Sequence, residues 1–371
     1  TATTLHVGSY GNGAMTISGG TVSVGTLSVG RYQSTTFSTG TLSVANSTLS
    51  LMALTAATYS STSVATITVS DSTLTVKSDI TLGNLGQSTT TVTNSTISAD
   101  RLFLASDASS MGTLNLSGGS LKVWEAHIAS WGASGSMNIA GTTVTAASII
   151  VGRRGSATGT VSMTSGSLTV TLQATIGESG SGTINIFGGT ASLATLYIGS
   201  GQTGTGTLSV TGGSLAAGHI YVGYEDGTGT FAATNQADGI TFTEFSANSG
   251  GTIALSVSGN SLAAADTLVF TVNNGMSLAQ GGNYIINLAD FTGTIGKDDT
   301  ITIAIVGELL GDSADASWVV TGYQQTIEDM ELRAFWEGTT LKVGWFAIPE
   351  PASAAALLSL LALVAAARRR K

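Results

Sequence analysis

The chain has 371 residues, including 49 glycines, 2 prolines and no cysteine, and its formal net charge at pH 7 is -9. The lack of cysteine excludes a disulfide framework, a thiolate metal site and a cysteine nucleophile, and the acidic balance argues against a nucleic-acid partner, because phosphate binding needs basic patches. With 42% hydrophobic and only 9% charged residues, the composition is unlike that of a disordered chain.

A repeat is clearest in Leu196–Gly223, LYIGSGQTGTGTLSVTGGSLAAGHIYVG. It contains three short runs in which apolar residues alternate with other residues, separated by glycine-rich turns, which predicts three strands per unit. The first strand ends at a glycine that we call the anchor, the second follows a Gly-Thr pair, and the third follows a Gly-Gly corner. Such a repeat decides the architecture of the chain.

The anchors recur at similar spacings, with one longer coil between residues 53 and 83. Alternate residues of a strand face opposite sides, so the residue before each anchor is predicted to point inward and the one before that outward. The anchors are Gly8, Gly30, Ala53, Gly83, Ala105, Ala129, Gly152, Gly177, Gly199 and Gly223. The inward column is Val7, Val29, Met52, Leu82, Leu104, Ile128, Val151, Ile176, Ile198 and Val222. The outward column is His6, Ser28, Leu51, Thr81, Phe103, His127, Ile150, Thr175, Tyr197 and Tyr221.

Stacked three-strand units with aliphatic interiors predict an all-β fold, a right-handed parallel β-helix (β-solenoid) of about ten coils over residues 1–245. Residues 246–347 keep alternating runs but lose the register and gather acidic residues. Because an open solenoid end exposes strand edges, we expect 246–347 to be an acidic, β-rich, antiparallel capping domain.

The C-terminal segment 348–371 has three parts in order. Pro349, Glu350 and Pro351 precede an apolar run over 352–367, and Arg368, Arg369, Arg370 and Lys371 close the chain. The run predicts a hydrophobic helix, a little short of the ~20 residues that span a bilayer. By the positive-inside rule, the basic end would stay cytoplasmic.

This segment resembles the PEP-CTERM sorting signal of Gram-negative exosortase systems. The resemblance implies export, transient insertion of 352–367 in the inner membrane, and cleavage near Pro349–Pro351 by an exosortase-type membrane protease, with release to the cell surface or extracellular matrix. An ordinary C-terminal membrane anchor is the alternative. The repeats over 1–245 are similar to the glycine- and threonine-rich β-strand repeats of autotransporter passenger domains.

Catalytic and metal chemistry finds little support in the sequence. β-Helix polysaccharide lyases and glycosidases need acids gathered on neighbouring coils, whereas the solenoid's acids are expected in different columns, with only Glu225 and Asp226 adjacent. His6 and His127 lie five coils apart, roughly 24 Å, and cannot share a metal. No Asp follows the Gly-Gly corners in calcium-roll register, so we predict no repeat-bound calcium, assign no metal site and no cofactor, and leave open a single calcium ion in the acidic region 246–347.

Aromatic residues on the outward column and just after the anchors form a candidate glycan-stacking face of Phe103, Trp131, Tyr197, Tyr221 and Tyr224. Aromatic residues are also common in cross-strand ladders for packing alone. Thr-x-Thr triplets such as Thr66–Thr68 and Thr143–Thr145 are typical of ice-binding faces, but their phase differs between coils, so no single regular threonine array is expected.

We therefore predict a secreted, surface-sorted, structural or adhesin-like solenoid without catalytic activity. Its hydroxyl-rich surface would associate with extracellular polysaccharide, as in a biofilm. The alternative is a β-helix carbohydrate-active enzyme.

Overall fold

A computed structural model describes residues 2–31 and 37–348 of the chain. Over these residues nearly every segment is strand, with two helical turns. The strands are Ala2–Val7 (β1), Asn12–Arg31 (β2), Thr39–Thr58 (β3), Val64–Ser70 (β4), Thr73–Val76 (β5), Asp79–Leu82 (β6), Gln87–Leu104 (β7), Met111–Ile128 (β8), Ser134–Ala140 (β9), Thr142–Val151 (β10), Thr158–Met163 (β11), Gly166–Ile176 (β12), Ser181–Ile186 (β13), Thr190–Ser200 (β14), Thr205–Val210 (β15), Ser214–Tyr224 (β16), Thr228–Thr234 (β17), Gly239–Ala247 (β18), Gly251–Ser256 (β19), Phe270–Leu278 (β20), Asn283–Asn287 (β21), Thr300–Leu310 (β22), Trp318–Thr321 (β23), Met330–Glu337 (β24) and Thr340–Ala347 (β25). The helical turns are Ala264–Thr267 (α1) and a 3-10 turn at Ser313–Asp315.

Successive coils pair in parallel, in register, and the longest strands bend through two corners of a coil. The prediction of a parallel β-solenoid of about ten coils is confirmed. The inward residue of each first strand pairs with its counterpart on the next coil, and every member of this column is buried. The column runs Val7, Val29, Ala56, Leu82, Leu104, Ile128, Val151, Ile176, Ile198, Val222, Ala247 and Leu278.

The anchors lie at a corner of each coil where the backbone adopts the left-handed conformation, with positive φ. Gly199 has φ +66°, and a Cβ built on it would lie 2.1 Å from the Thr228 carbonyl oxygen. Glycine adopts this conformation without steric cost. Ala105 and Ala129 hold the same corner at φ +59° and +65°, and their methyl groups belong to a small buried cluster with Ala133 and Ala157.

The third coil shows that the predicted anchor Ala53 is wrong. Ala56, rather than Met52, pairs with Val29, and Ala57 has the left-handed backbone at φ +52°. Met52 is therefore 53% exposed, while Leu51, which was expected outside, is 2% exposed. Met52-Ala53 has the same local pattern as an apolar residue followed by an anchor. Pairing of Ala56 with Val29 and with Leu82 determines instead which residues of this coil point inward.

The parallel stack does not stop at residue 245. β18 pairs with β20 and β20 with β22, while β19 pairs with β21 and β21 with β23, all in parallel. Longer connections, one containing α1, break the spacing seen in the sequence without breaking the stack. Among the described strands, antiparallel pairing is limited to β22–β25 and β24–β25, so a separate antiparallel cap over 246–347 is not confirmed.

The interior changes character at the predicted boundary. Aliphatic residues give way to a buried group of four phenylalanines whose ring centroids lie 5.5 to 6.0 Å apart, within the range of favourable aromatic pairs. The group consists of Phe231, Phe242, Phe245 and Phe270. The core therefore continues through the point where the glycine anchors end.

Candidate ligand-binding faces

Each coil exposes three faces, one for each strand of the repeat. We call them the first, second and third faces, after the strands that end at the anchor, follow Gly-Thr and follow the Gly-Gly corner. Because the coils are in register, equivalent residues form columns along the solenoid, separated by about 4.8 Å per coil. The chemistry of a face is therefore the chemistry of its columns.

The first face carries a column of mixed charge, four residues before the anchors. Acidic, basic and uncharged polar residues share it: Asp79, Arg101, Glu125, Ser148, Gln173, Thr195, His219 and Glu244. The expectation that the solenoid's acids occupy different columns is wrong for Asp79, Glu125 and Glu244. Opposite charges on adjacent coils stabilise such a ladder, and Arg101 donates to both Asp79 carboxylate oxygens at 2.9 and 2.8 Å.

His127 is the centre of a buried polar cluster on this face. It is 2% exposed, although its column was predicted to lie outside. Arg153 Nη1 lies 3.3 Å from His127 Nδ1, and Arg153 Nε lies 3.5 Å from Glu178 Oε2. Since arginine only donates, Nδ1 accepts and the ring proton is on Nε2, 2.8 Å from Glu125 Oε1 but not aligned for a hydrogen bond.

Three tyrosines form a second cluster farther along the first face. Tyr197 and Tyr221 stack with centroids 5.1 Å apart and an interplanar angle of 13°, and Tyr224 tilts against both at about 60°. Burial, followed by the neighbouring Tyr221, Tyr224 and Glu225, raises the pKa of Tyr197 above its usual value of 10.0. Stacking covers one face of Tyr197 and one face of Tyr221, so a ligand can contact only the ring edges, the hydroxyl groups and the faces that the stack leaves uncovered.

An open pocket of about 330 Å³ lies beside these tyrosines. Its lining combines aromatic rings, carboxylates, an amide and hydroxyl groups from three neighbouring coils: Gln173, Glu178, Ser179, Tyr197, Ser200, Gly201, Tyr224 and Glu225. We call it the tyrosine pocket. Glu225 and Asp226 occupy an exposed turn at φ +50° and +66°, on the loop where the sequence placed them.

The five predicted aromatic residues lie on the first face or just after its anchors, where Trp131 occupies a turn, and they form separate groups. Phe103 lies four coils from Tyr197 in the register, which corresponds to about 19 Å. Arg101 lies 5.3 Å from the Phe103 ring centroid, and Arg154 lies 4.7 Å from that of Trp131, which is 56% exposed. These two rings are therefore engaged in cation–π contacts.

The second face is an uncharged grid. Two columns from adjacent outward positions of the second strand contain hydroxyl and amide side chains, two alanines and no charged residue. One column is Thr41, Thr66, Thr89, Thr113, Ser136, Thr160, Thr183, Thr207, Thr230 and Thr252, and the other is Ser43, Thr68, Thr91, Asn115, Asn138, Ser162, Asn185, Ser209, Ala232 and Ala254. One regular threonine column therefore forms, contrary to expectation, although the Thr-x-Thr triplets themselves are divided between faces, with Thr66–Thr68 on the second and Thr143–Thr145 on the third.

The third face repeats this chemistry, with Lys122 as the one charge in its two columns. Its first column is Thr21, Thr48, Thr73, Thr96, Ser120, Thr143, Ser167, Thr190 and Ser214, and its second is Ser23, Ser50, Thr75, Ser98, Lys122, Thr145, Thr169, Ser192, Ala216 and Thr241. Contacts between coils are sparse on both faces. Examples are Asn138 to Asn115 at 2.8 Å and Ser136 to Thr113 at 3.3 Å.

Sequence reasoning missed Glu125, Gln173 and Glu178 as site residues. For Glu125 and Gln173 the signal was present, because the positions four residues before the anchors form the charged column, whereas Glu178 directly follows the anchor Gly177 and lies outside that column. Trp124 was also missed; it is 66% exposed beside the corner between the third and first strands.

Over residues 2–31 and 37–348, no group of three or more histidine, aspartate or glutamate residues is arranged to hold a metal ion. None of the helices described there has the length and apolarity to cross a membrane. The predicted processing residues Pro349, Glu350, Pro351, Arg368, Arg369 and Arg370, and the apolar run 352–367, lie outside the described residues.

Comparison of the chain with protein family models, curated proteins and solved structures finds no match in any of the three. The fold and the three faces are therefore the basis for a functional proposal.

Proposed function

We propose that the chain is an exported, non-catalytic structural rod whose second and third faces associate with neutral extracellular polysaccharide. The observation that carries the proposal is the uncharged hydroxyl grid of the second face, which continues over ten coils. Hydroxyl and amide groups donate and accept hydrogen bonds, as sugar hydroxyl groups do. Burying them under a glycan avoids the large cost of desolvating charges.

Each contact in such an association is weak, and repetition supplies the strength. Columns spaced at about 4.8 Å present the same groups coil after coil, so a linear polymer lying along the rod contacts many equivalent sites. Linked weak contacts give an avidity far above that of any one of them. This favours an adhesive or matrix role over recognition of a single small molecule.

The first face adds a second type of contact. Phe103, Trp131, Tyr197, Tyr221 and Tyr224 are proposed to contact sugars mainly through ring edges and tyrosine hydroxyl groups, because several ring planes are already covered. Amphipathic aromatic side chains suit such mixed contacts.

For residues 348–371 we propose the sorting role that their resemblance to PEP-CTERM signals implies. Support comes from the order of Pro349–Glu350–Pro351, the apolar run and the arginine tail. Release by an exosortase-type protease would leave the solenoid at the surface of a Gram-negative cell. Mass spectrometry of the surface protein is expected to find the chain ending near Pro351, and an intact C-terminus would contradict processing.

Co-sedimentation with an insoluble neutral polysaccharide tests the association. Thr160→Lys with Thr207→Lys places two charges on alternate coils of the second face, and is expected to weaken co-sedimentation strongly. The matched control, Ser148→Lys with Thr195→Lys, adds the same charge to the first face, where the proposed sugar contacts are fewer, and is expected to weaken co-sedimentation much less.

Equal binding by both variants would contradict a role for the second face. Inhibition of ice recrystallisation by the wild type, lost with Thr160→Lys and Thr207→Lys, would instead assign the array to ordered water.

The enzyme alternative is favoured by one observation, that Glu125 and Glu178 both approach the His127–Arg153 pair. Carboxylates gathered on neighbouring coils are what glycoside cleavage needs. Screening acidic and neutral polysaccharides for released products tests it. We expect none; turnover abolished by Glu125→Gln, Glu178→Gln, Glu225→Gln or Asp226→Asn would replace the structural proposal.

A further inference from the structure

We infer that the tyrosine pocket binds an organic ammonium group, such as the protonated amine of a deacetylated amino sugar. This deepens the proposed function by naming a ligand chemistry for one end of the first face. The inference rests on the proposed polysaccharide association because the polysaccharide would supply the amine. The recognition of the amine is argued from the pocket alone.

The aromatic walls are the first part of the argument. Tyr197 and Tyr224 both line the pocket, with centroids 4.9 Å apart and planes inclined at 60°. The two rings therefore form an angled aromatic corner. The electron-rich faces of tyrosine rings attract cations, and aromatic corners of this kind recognise ammonium groups.

The carboxylates are the second part. Glu178 and Glu225 line the pocket from different coils. Arg153 partly compensates Glu178 at 3.5 Å, whereas none of the ion pairs within the described residues involves Glu225. The negative charge of Glu225 also acts on the aromatic side of the pocket, because it contributes to the raised pKa of Tyr197.

The remaining lining selects among ligands. The Gln173 amide and the hydroxyl groups of Ser179 and Ser200 can hydrogen-bond to a sugar ring. An acidic sugar would meet two carboxylates with one compensating arginine, so like-charge repulsion disfavours it. A neutral acetylated sugar would leave Glu225 without a charged partner. A sugar that carries an ammonium group can make a cation–π contact with the tyrosine rings and an ion pair with Glu225.

Isothermal titration of the full chain tests the inference with three probes: the hexamer of glucosamine, the hexamer of N-acetylglucosamine, and choline. The glucosamine hexamer is expected to bind and the acetylated hexamer to bind at least about tenfold more weakly, the size of a charge-assisted hydrogen bond. Choline binding would show that the pocket takes free quaternary ammonium compounds too, with the same ammonium recognition. Equal binding of the two hexamers, or binding of neither, would overturn the inference.

Variants locate the binding. Glu225→Gln is expected to weaken glucosamine hexamer binding about tenfold. Tyr224→Ala is expected to weaken it about fivefold through loss of the cation–π contact. The matched control is Asp226→Asn, which removes the same charge from the same exposed turn without touching the pocket lining, and should keep most of the affinity. If Tyr224→Ala does not fold, Glu225→Gln still decides: unchanged affinity there overturns the assignment.

These results are separable from the proposed function. Co-sedimentation with a neutral polysaccharide depends on Thr160 and Thr207 of the second face, whereas ammonium binding depends on Glu225 and Tyr224. Either can fail while the other stands.

Discussion

The first face carries charged, histidine and aromatic side chains, whereas the second face carries threonine, serine and asparagine on the same coils. Both stand on one continuous aliphatic interior. On the first face, side chains pair with each other across coils, as in Asp79–Arg101 and Arg153–Glu178. On the second face such pairs are few. The interior therefore determines the fold, and the outward side chains of each face can differ in chemistry on the same coils.

The largest expected effect contrasts the shared interior with a face. Ile198→Asp places a carboxylate in the buried column, where Ile198 is 0% exposed. Because burying an unpaired charge is very costly, we expect loss of cooperative thermal unfolding in circular dichroism. The adjacent outward change Tyr197→Ser should cost about 1 kcal/mol or less. A well-folded Ile198→Asp variant would contradict the dry interior.

The second prediction concerns the corner that connects the faces. Gly199→Ala adds a Cβ that meets the Thr228 carbonyl oxygen at 2.1 Å, and it forces φ +66° on a non-glycine residue. We expect a loss of about 2 kcal/mol or more in the free energy of unfolding by denaturant titration. The reverse change Ala129→Gly should stay within about 1 kcal/mol of the wild type, because relief of strain offsets lost methyl packing. Equal costs would refute the strained-corner explanation.

The third prediction concerns pairing within the faces. Arg153→Met keeps the aliphatic stem but leaves His127 Nδ1 without its donor and Glu178 without its ion-pair partner, and should lower the free energy of unfolding by about 1 kcal/mol. Asn138→Ala on the second face should change it by less than about 0.5 kcal/mol. Denaturant titration of both checks the contrast, and a larger effect at Asn138 would reverse it.

The smallest prediction is a pH dependence confined to the first face. Burial, followed by the Arg31 charge, lowers the pKa of His6 below its usual value of 6.5. The unfolded chain then binds the proton at higher pH than the folded chain. Stability is therefore full above that value, falls as the pH decreases below it, and stops falling below the folded pKa. The denaturant midpoints of the wild type and of His6→Gln should be close at neutral pH. At mildly acidic pH the wild-type midpoint should fall below that of His6→Gln. An unchanged difference would contradict the shift.

The interior was predictable because its pattern repeats with one phase. Ile198 and Val222 fall before glycine anchors, and the structure stacks them as expected. Ala57 was missed because Met52-Ala53 offers the same local pattern, and only pairing with both neighbours decides between them. The stack beyond 245 was missed because α1 and longer connections conceal a register that backbone pairing preserves.

The faces were harder to predict, since their chemistry depends on register across coils. Thr160 aligns with Thr183 and Ser136 only because left-handed corners, formed by glycine or alanine, hold each coil in phase. His127 is contacted from two neighbouring coils, by Arg153, which follows the next anchor, and by the Phe103 ring at 5.0 Å between centroids. Single-coil reasoning sees neither effect.

Thiol labelling tests most directly the central claim that the faces separate by function. The chain has no cysteine, so each of Thr207→Cys, Ser192→Cys, Ser148→Cys and Ile198→Cys gives one reporter, on the second face, third face, first face and interior. With neutral polysaccharide bound, we predict much slower labelling at 207 and 192, a smaller change at 148, and no labelling at 198 with or without glycan. Equal protection at 207, 192 and 148, or rapid labelling at 198, would contradict the account.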